Sequence, residues 1–308
     1  MKANFTRQAR QIGADQAIAA KLAELLISDS INVQTKKRRK DLVGKKALVV
    51  GGSGRIGAWC CRRLANRGAE VSIWDPRGSV EGYHKTAVLG QAAKNADIVV
   101  LASPLGTAPT ELSAVIRTRP YGLVFDVCSV KSHIAGQLRK AAASGLKIAS
   151  VHPMFGPSAP SPKGRTVIIC HCGSREGTRL AERLFSGAGA NIVKLPLEKH
   201  DELMAYVLGL PHLTSLVFAA TVAGSGKSLE SLARVQGPSF ERMASIAREL
   251  SKESVRVYHD IQALNPSTRA MFQKFDNSVK FLKDASMQKD SDKFRKIMES
   301  CRKYLEVR

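Results

Sequence analysis

Residues 46–57, which read KALVVGGSGRIG, decide the fold of this chain. The first five predict a short strand, and Gly52, Gly54 and Gly57 follow at once and open a predicted helix that runs to about residue 67. In a G-x-G-x-x-G turn the first glycine makes the tight turn, the second lets the backbone approach a pyrophosphate, and the third allows close packing of helix on strand. The phosphates lie at the N-terminus of that helix. The stretch therefore predicts a dinucleotide-binding βαβ unit.

Asp75 bears on which dinucleotide binds. It ends a second predicted strand at residues 70–74, about 20 residues after Gly52, where such units place the acid that hydrogen-bonds the adenosine ribose. A carboxylate there favours NAD because it would repel the 2′-phosphate of NADP. Arg77 could bind that phosphate, so NADP stays as the less favoured alternative. The other predicted cofactor-binding residues are Ser53, Arg55, Ile56 and Ser103.

Strand and helix patterns alternate along the chain up to Pro196. Apolar runs typical of strands lie at residues 97–102, 122–127, 147–151, 166–170 and 191–195. Helical patterns lie around residues 86–95, 107–118, 132–144 and 175–188. The alternation predicts an α/β fold with a Rossmann-type, doubly wound and mostly parallel sheet. After Pro196 only helical patterns remain. We therefore predict a helical extension and basic linker at 1–40, an NAD-binding domain at 41–196, and an all-α C-terminal domain at 197–308.

The composition indicates a protein of a reducing compartment, and we predict a cytoplasmic location. The chain has 308 residues, 44% of them hydrophobic, and its six scattered cysteines do not form a disulfide framework. No secretory signal pattern opens the sequence. The net charge is +22, but the dense basic run at 36–40 is not interleaved with aromatic residues as a nucleic-acid platform would be. We therefore expect the charge to attract anionic small molecules rather than nucleic acid.

Residues 203–223 contain no Lys, Arg, Asp or Glu. At about 1.5 Å per residue such a helix could cross a bilayer. Pro211 and His212 lie in its middle, and no second stretch of this kind occurs in the sequence. We therefore predict a buried core helix and no membrane partner.

The sequence CHC at residues 170–172 contains two residue types that bind metals. Alternate residues of a strand face opposite ways, so Cys170 and Cys172 are expected to point away from His171. No second ligand pair with zinc spacing occurs, and we predict no metal site.

Three further segments carry candidate chemistry, and they read DVCSVKS at 126–132, HPMFGP at 152–157 and LPHLT at 210–214. Ser129 and His152 each follow the C-terminal end of a predicted strand, at the edge where doubly wound sheets bind ligands. A histidine at that edge without metal-ligand spacing suits proton transfer near neutral pH.

Together these segments resemble the prephenate dehydrogenase family of tyrosine biosynthesis, over about residues 44–266. HPMFGP at 152–157 carries most of the resemblance, and SVKS and LPH support it. The resemblance implies an NAD-dependent dehydrogenase that oxidises and decarboxylates prephenate, with a helical domain that binds substrate and forms a homodimer.

The resemblance also implies roles for single residues. His152 matches the catalytic histidine that accepts the proton of the substrate's ring hydroxyl as hydride leaves for the nicotinamide. Ser129 matches a serine that orients this histidine and the hydroxyl. His212 matches a substrate-binding histidine, and Arg242 matches the arginine that binds a prephenate carboxylate, with Arg248 as the alternative.

Two other functions stay open at this stage. Arogenate dehydrogenase differs from prephenate dehydrogenase by an amino group on the substrate side chain. A dinucleotide-sensing regulator would keep the fold and lose turnover, but it would need neither Ser129 nor His152.

The N-terminal segment LLISDSINVQ at 25–34 resembles the last helix of the chorismate mutase domain that is fused to this dehydrogenase in some organisms. Ser30 and Gln34 match positions that line the mutase pocket. The long first helix of that domain, with its essential arginines, has no counterpart, so we expect no mutase activity. The segment is either a remnant used for packing or the start of a chain cut from a longer protein.

Overall fold

The computed structural model describes residues 8, 12, 13, 15, 18–23 and 40–306. The segment at 25–34, with Ser30 and Gln34, lies outside these residues, so its likeness to a mutase helix stays a prediction. The strands are β1 Lys46–Val50, β2 Glu70–Trp74, β3 His84–Lys85, β4 Ile98–Leu101, β5 Leu123–Asp126, β6 Ile148–Pro153, β7 Thr166–His171 and β8 Asn191–Pro196.

The strands form one eight-stranded sheet in the order β3-β2-β1-β4-β5-β6-β7-β8. All neighbours pair in parallel except β6 and β7, which are antiparallel. The order reverses between β1 and β4, so a crevice opens there at the carboxyl ends of the strands, where doubly wound sheets bind ligands. The predicted fold class is confirmed. The two-residue strand β3 was missed because it is too short to show a pattern.

Helices cover both faces of the sheet. Side chains of successive residues in β1 point to opposite faces, so Leu48 packs with Leu112 on one side and Val49 packs with Trp59 on the other. The helices of this part are α1 Arg55–Ala65, α2 Leu89–Lys94, α3 Ala108–Arg117, α4 Ser132–Ala143 and α5 Arg175–Ser186. The later helices are α6 Leu197–Met204, α7 Leu210–Ala223, α8 Leu229–Arg234, α9 Pro238–Ser251, α10 Val255–Ala263, α11 Thr268–Met287 and α12 Ser291–Glu306.

A π-helical turn at Ala205–Gly209 joins α6 to α7, and together they form one helix from Leu197 to Ala223. The expectation of a buried core helix is wrong for the single chain, because only 22% of its apolar window is buried. Within the chain α7 packs mainly on α9, and this contact covers one side of it. By length and composition alone this helix could cross a membrane, and it is the one such helix in the ranges described above. Its exposed apolar side chains, called here the apolar stretch, are Leu203, Tyr206, Val207, Leu216 and Val217.

The CHC segment at the end of β7 behaves as strand alternation predicts. Cys170 and Cys172 are buried, whereas His171 is exposed. Among the described residues no group of three or more His, Cys, Asp or Glu side chains could hold a metal ion.

Candidate active site

The glycine loop between β1 and α1 leaves no room for side chains. A Cβ atom on Gly52 would lie 2.6 Å from Cγ2 of Ile73, and one on Gly57 would lie 2.1 Å from the backbone oxygen of Gly51. Contacts this short are excluded, so only glycine permits this packing of α1 against the turn. The loop therefore brings the N-terminus of α1 to the carboxyl edge of β1, where a pyrophosphate can bind.

The N-terminus of α1 is open toward such a ligand. Gly54 occupies the N-cap without a side-chain hydrogen bond, and the first turn has no acidic residue. Ile56 is partly buried and packs on the core, so it contributes its backbone to the loop. The Arg55 guanidinium pairs with Glu253, which lies between α9 and α10, and this ion pair joins the glycine loop to the helical region.

Asp75 lies at the end of β2 and anchors the loop. Its Oδ2 accepts hydrogen bonds from the Ser53 backbone N–H at 3.1 Å and from the Ser53 hydroxyl, and its Oδ1 accepts one from the Arg77 N–H at 2.9 Å. Burial opposes ionisation, but these hydrogen bonds and the charge of Lys85 lower the pKa of Asp75 below its usual value. Asp75 is therefore a carboxylate at the position expected for the ribose contact.

Ser103 follows β4, on the other side of the crevice from Asp75. Its hydroxyl is buried near the Glu111 carboxyl of α3, whose Oε2 is also buried. Burial raises the pKa of Glu111, and the nearby hydroxyls of Ser103 and Thr107 only partly offset this. Buried polar groups at this crevice fit a polar ligand such as a dinucleotide.

His152 is the fifth residue of β6, within the strand rather than beyond its end. Its ring is 4% exposed, and its Nδ1 lies 2.9 Å from Nε2 of His200. Nδ1 of His200 in turn lies 2.7 Å from Oδ1 of Asp201. His200 and Asp201 are buried in α6, the first helix after the sheet. Nε2 of His152 forms no hydrogen bond with any residue that the structure describes, so this atom can meet a substrate.

Asp201 connects His152 to the serine segment. Its carboxylate accepts hydrogen bonds from the backbone N–H of Lys131 at 2.9 Å and of Ser132 at 2.7 Å, and from the Ser132 hydroxyl. Burial opposes ionisation, but the hydrogen bonds from His200, Ser132 and Lys131 lower the pKa of Asp201 to about 2. Ser129 lies two residues before Lys131 and is partly exposed, and its hydroxyl has no hydrogen-bond partner within the described ranges. The structure thus brings the SVKS segment to the neighbourhood of His152.

Lys131 forms a second buried contact beneath His152. Its Nζ donates to Oδ1 of Asp126 at 2.5 Å and to the backbone oxygen of Val151 at 2.8 Å, and both charged side chains are 0% exposed. Burial opposes the charge, but the Asp126 carboxylate raises the pKa of Lys131 above its usual value. We call the set of His152, His200, Asp201, Lys131 and Asp126 the polar cluster.

Both histidines of the polar cluster are held neutral. Burial, the neighbouring His200 ring and the charge of Lys131 lower the pKa of His152 well below its usual value. Burial also lowers the pKa of His200, although its hydrogen bond to Asp201 acts in the opposite direction. A neutral imidazole at the carboxyl edge is able to accept a proton.

His212 lies in the first turn of α7, with its ring 4.4 Å from that of Tyr258 in an edge-on contact. Its Nδ1 is buried without a hydrogen-bond partner in the described part of the chain, and burial lowers its pKa. Arg242 and Arg248 are both exposed on α9, and neither forms an ion pair within the ranges described. Neither guanidinium forms a hydrogen bond with His152 among the described residues, so the choice between the two arginines stays open.

His200 and Asp201 were not among the predicted site residues, and Lys131 and Asp126 had no predicted role. The pair His200-Asp201 directly precedes the charge-free stretch of the long helix, and this position is the signal that could have marked it. A buried acid beside a histidine is costly unless it is hydrogen-bonded, and such pairs concentrate at functional sites.

A glycine loop at the crevice of a doubly wound sheet, an aspartate where such folds contact the ribose and a buried histidine at the same edge are typical of nucleotide-dependent dehydrogenases. Comparisons with known proteins give the family. A family model described as the nucleotide-binding domain of prephenate dehydrogenase matches residues 82–194, and one described as its dimerization domain matches 196–300. A model for the NAD-binding domain of D-isomer specific 2-hydroxyacid dehydrogenases matches 14–113, which includes the glycine loop.

The chain belongs to the prephenate dehydrogenase family, and its first domain matches that family's nucleotide-binding domain. It is 30% identical to a 4-amino-4-deoxyprephenate dehydrogenase of Streptomyces pristinaespiralis over 83% of this chain and 90% of that protein. It is 28% identical to a probable arogenate/prephenate dehydrogenase of Methanocaldococcus jannaschii over 83% of this chain, and it spans 60% of that protein's length. Among solved structures, prephenate dehydrogenase of A. aeolicus in complex with hydroxyphenyl propionate and NAD+ matches with a TM-score of 0.68 and 19% identity, over 86% of this chain and 98% of that chain.

Proposed function

We propose that this protein is a prephenate dehydrogenase of tyrosine biosynthesis, which converts prephenate to 4-hydroxyphenylpyruvate with hydride transfer to NAD⁺. The observation that carries the proposal is His152, a buried neutral imidazole at the carboxyl edge of the sheet, whose Nε2 has no hydrogen bond to any described residue. The glycine loop opens at the same edge, so a ring bound between them would face both the base and the nicotinamide.

The proposed chemistry requires a base at the ring hydroxyl of prephenate. Nε2 of His152 accepts the hydroxyl proton, and the released electron pair forms a carbonyl as the hydrogen on the same carbon leaves as hydride. Bound NAD⁺ supplies the hydride acceptor. The ring carboxylate then leaves as CO₂, and the electrons of its carbon–carbon bond complete the aromatic ring. The ring oxygen takes back the proton from His152 and becomes the phenol of the product.

The remaining site residues have proposed roles in binding. Ser129 orients the substrate hydroxyl toward His152, and His212 binds the substrate from the start of α7. Arg242 binds a carboxylate of prephenate, with Arg248 as the alternative. The net charge of +22 favours the approach of a dianionic substrate and an anionic cofactor.

The two arginines can be separated by a matched pair of variants. Loss of a charge-assisted hydrogen bond to a carboxylate costs about 1.5–3 kcal/mol, or about 10–100-fold in the KM for prephenate. We expect this increase for Arg242→Ala and an unchanged KM for Arg248→Ala. The opposite pattern would assign the carboxylate to Arg248.

We further propose that residues 41–196 bind NAD and that residues 197–308 form a homodimer in the cytoplasm. The matched family model is described as a dimerization domain, and the apolar stretch lies on the helix that begins this region. A second copy of the chain, rather than a bilayer or a nucleic acid, would then cover the apolar stretch. The helical extension and basic linker at 1–40 have no proposed role in catalysis.

One experiment separates the candidate substrates. The purified protein is incubated with prephenate, arogenate or 4-amino-4-deoxyprephenate, each with NAD⁺ and then NADP⁺, and the reduced cofactor is followed by absorbance. We expect prephenate with NAD⁺ to give the highest kcat/KM. A higher value with arogenate or with the amino analogue would reassign the substrate, and tight NAD⁺ binding without turnover of any of them would indicate a dinucleotide sensor.

A further inference from the structure

Three buried groups form a chain of hydrogen bonds behind the candidate base. From His152, the chain runs to His200 at 2.9 Å and from His200 to Asp201 at 2.7 Å. We propose that His200 and Asp201 are positioning residues, which fix the ring proton of His152 on Nδ1 and thereby leave the lone pair of Nε2 free to accept the substrate proton. This inference rests on the proposed function for the identity of that proton, but the placement of the ring proton can be tested without a substrate.

The ionised carboxylate of Asp201 determines which atom donates and which accepts in each of these hydrogen bonds. Oδ2 accepts hydrogen bonds from the N–H and the hydroxyl of Ser132, and Oδ1 faces Nδ1 of His200. The Lys131 N–H is shared between the two oxygens, at 2.9 Å from Oδ1 and 3.1 Å from Oδ2. A carboxylate without a proton only accepts hydrogen bonds, so Nδ1 of His200 must carry a hydrogen and donate it. The backbone of Asp201 is also fixed, because Nδ2 of Asn265 donates to its carbonyl oxygen at 2.8 Å.

The tautomer of His200 determines the tautomer of His152. A neutral imidazole has one N–H, and His200 donates this N–H to Asp201. Nε2 of His200 can therefore only accept a hydrogen bond. The partner of that atom, Nδ1 of His152, must therefore be the donor. The single N–H of neutral His152 is then on Nδ1, and its Nε2 carries a free lone pair. A ring with the proton on Nε2 instead could not act as a base toward the substrate.

The same chain stabilises the charged product of proton transfer. When Nε2 of His152 accepts the hydroxyl proton, the ring becomes an imidazolium that still donates from Nδ1 to His200. The positive charge then lies two hydrogen bonds from the Asp201 carboxylate in a buried, low-dielectric setting, where attraction between opposite charges is strong. The charge of Lys131 opposes this effect, and its ion pair with Asp126 offsets that opposition only in part.

Asp201→Asn provides a test because it preserves shape and removes only the choice of donor and acceptor. The Ser132 N–H is bound to Oδ2 alone and requires an oxygen there, so the amide oxygen takes the place of Oδ2 and the NH₂ group faces His200. The Lys131 N–H keeps its contact with the oxygen at the Oδ2 position. Nδ1 of His200 must then accept, its proton moves to Nε2, and His152 is left with its proton on Nε2. A wrong tautomer of this kind behind a catalytic histidine lowers kcat on the order of 10⁴-fold in a serine protease triad.

The first measurement is the tautomer itself. Long-range ¹H–¹⁵N spectra of histidine-labelled protein distinguish a ring nitrogen that carries hydrogen from one that does not, and His152→Asn identifies the His152 signals. We expect a hydrogen on Nδ1 of His152 in the wild type and on Nε2 in Asp201→Asn. An unchanged His152 tautomer in Asp201→Asn would overturn the proposal.

The second measurement is steady-state kinetics with NAD⁺ and the substrate. We expect Asp201→Asn to lower kcat on the order of 10²–10⁴-fold, with KM and the NAD⁺ dissociation constant unchanged. The control is Asp97→Asn, which makes the same substitution in a carboxylate that accepts the Lys46 N–H at 2.9 Å at the opposite end of the strands. If Asp201 only capped α4, its loss would raise KM and weaken NAD⁺ binding together with kcat, and the proposal would be wrong.

His200→Gln and His200→Leu keep the proposal testable if Asp201→Asn does not fold. The glutamine oxygen can occupy the place of Nε2 and accept from His152, whereas leucine fills the space without an acceptor. We expect the glutamine variant to retain most of kcat and the leucine variant to lose it, and equal losses would count against the proposal. A wild type that shows the expected tautomer but oxidises none of the candidate substrates would refute the proposed function and leave the tautomer assignment standing.

Discussion

The two ends of the helix from Leu197 to Ala223 reverse the usual relation between polarity and burial. Its first turns bury His200 and Asp201 at 0% and 3% exposure, while farther along Leu216 and Val217 are 46% and 43% exposed. Charged groups are rarely buried unless they are paired, and large apolar side chains are rarely left exposed in a row. Local packing of the helix therefore does not explain the burial of polar groups at one end or the exposure of apolar groups at the other.

The difference between the two ends is where their partners come from. The chain itself completes the polar cluster, since the α4 N-terminus supplies the donors to Asp201 and Asp126 neutralises Lys131. Within the described ranges α9 is the main packing partner of α7, and it leaves the apolar stretch exposed. We interpret the first end as a site whose hydrogen-bond partners all come from the same chain. We interpret the second end as a surface that is covered by a second chain.

His152→Asn tests the site formed at the first end of the helix, because it removes the nitrogen that is proposed to accept the substrate proton. Loss of a general base lowers turnover on the order of 10²–10⁴-fold, and NAD⁺ binding should stay unchanged because the glycine loop is untouched. Turnover and NAD⁺ affinity are measured on the same preparation. The control is His171→Asn, the same substitution at the exposed end of β7. Full turnover in His152→Asn would show that another group is the base.

Lys131→Met tests the same site by removing one partner of the buried ion pair between Lys131 and Asp126. Removal of one partner of a buried pair leaves an uncompensated charge, here that of Asp126, and costs about 3–5 kcal/mol in the free energy of unfolding. Urea denaturation measures this loss. Lys45→Met is the matched control, because Lys45 is exposed and its ion pair with Asp97 lies at the surface. We expect no shift of its denaturation midpoint, and similar midpoints for both variants would contradict the account.

Val217→Lys probes the second end. If a second chain covers the apolar stretch, loss of the buried valine costs about 1.5–3 kcal/mol, which raises the dimer dissociation constant about 10–100-fold. Sedimentation over a range of concentrations measures this change, and the folded monomer should keep its stability. Val88→Lys serves as the control, since Val88 is 56% exposed at the start of α2. A dimer of unchanged affinity would place the interface elsewhere.

The glycine loop and Asp75 could be predicted because each depends on a short stretch of sequence. The tight turn needs Gly52 and Gly57 for steric reasons that any βαβ unit shares, and Asp75 follows at the end of the next strand. Helix and strand limits came close for the same reason, since hydrophobic periodicity is a local signal.

The hydrogen bond between His152 and His200 could not be predicted in this way. It joins residues 48 positions apart, and it forms only because α6 folds back over the carboxyl edge of β6. The burial of α7 was misjudged for a related reason. Hydropathy shows that a helix is apolar, but it does not show whether the same chain or another one covers it.

The pH dependence of kcat/KM tests the central claim, that His152 is a neutral base, most directly, because it reports the pKa of the essential base in the free enzyme. Burial, His200 and Lys131 lower the pKa of His152 well below the usual value of about 6.5, and Asp201 only partly opposes them. The base is then already unprotonated at neutral pH, so the account predicts a kcat/KM that is flat between about pH 8 and pH 6.5 and falls only well below that range. The NAD⁺ dissociation constant over the same range is the control. A tenfold fall per pH unit with a midpoint at or above about 6.5 would contradict the account.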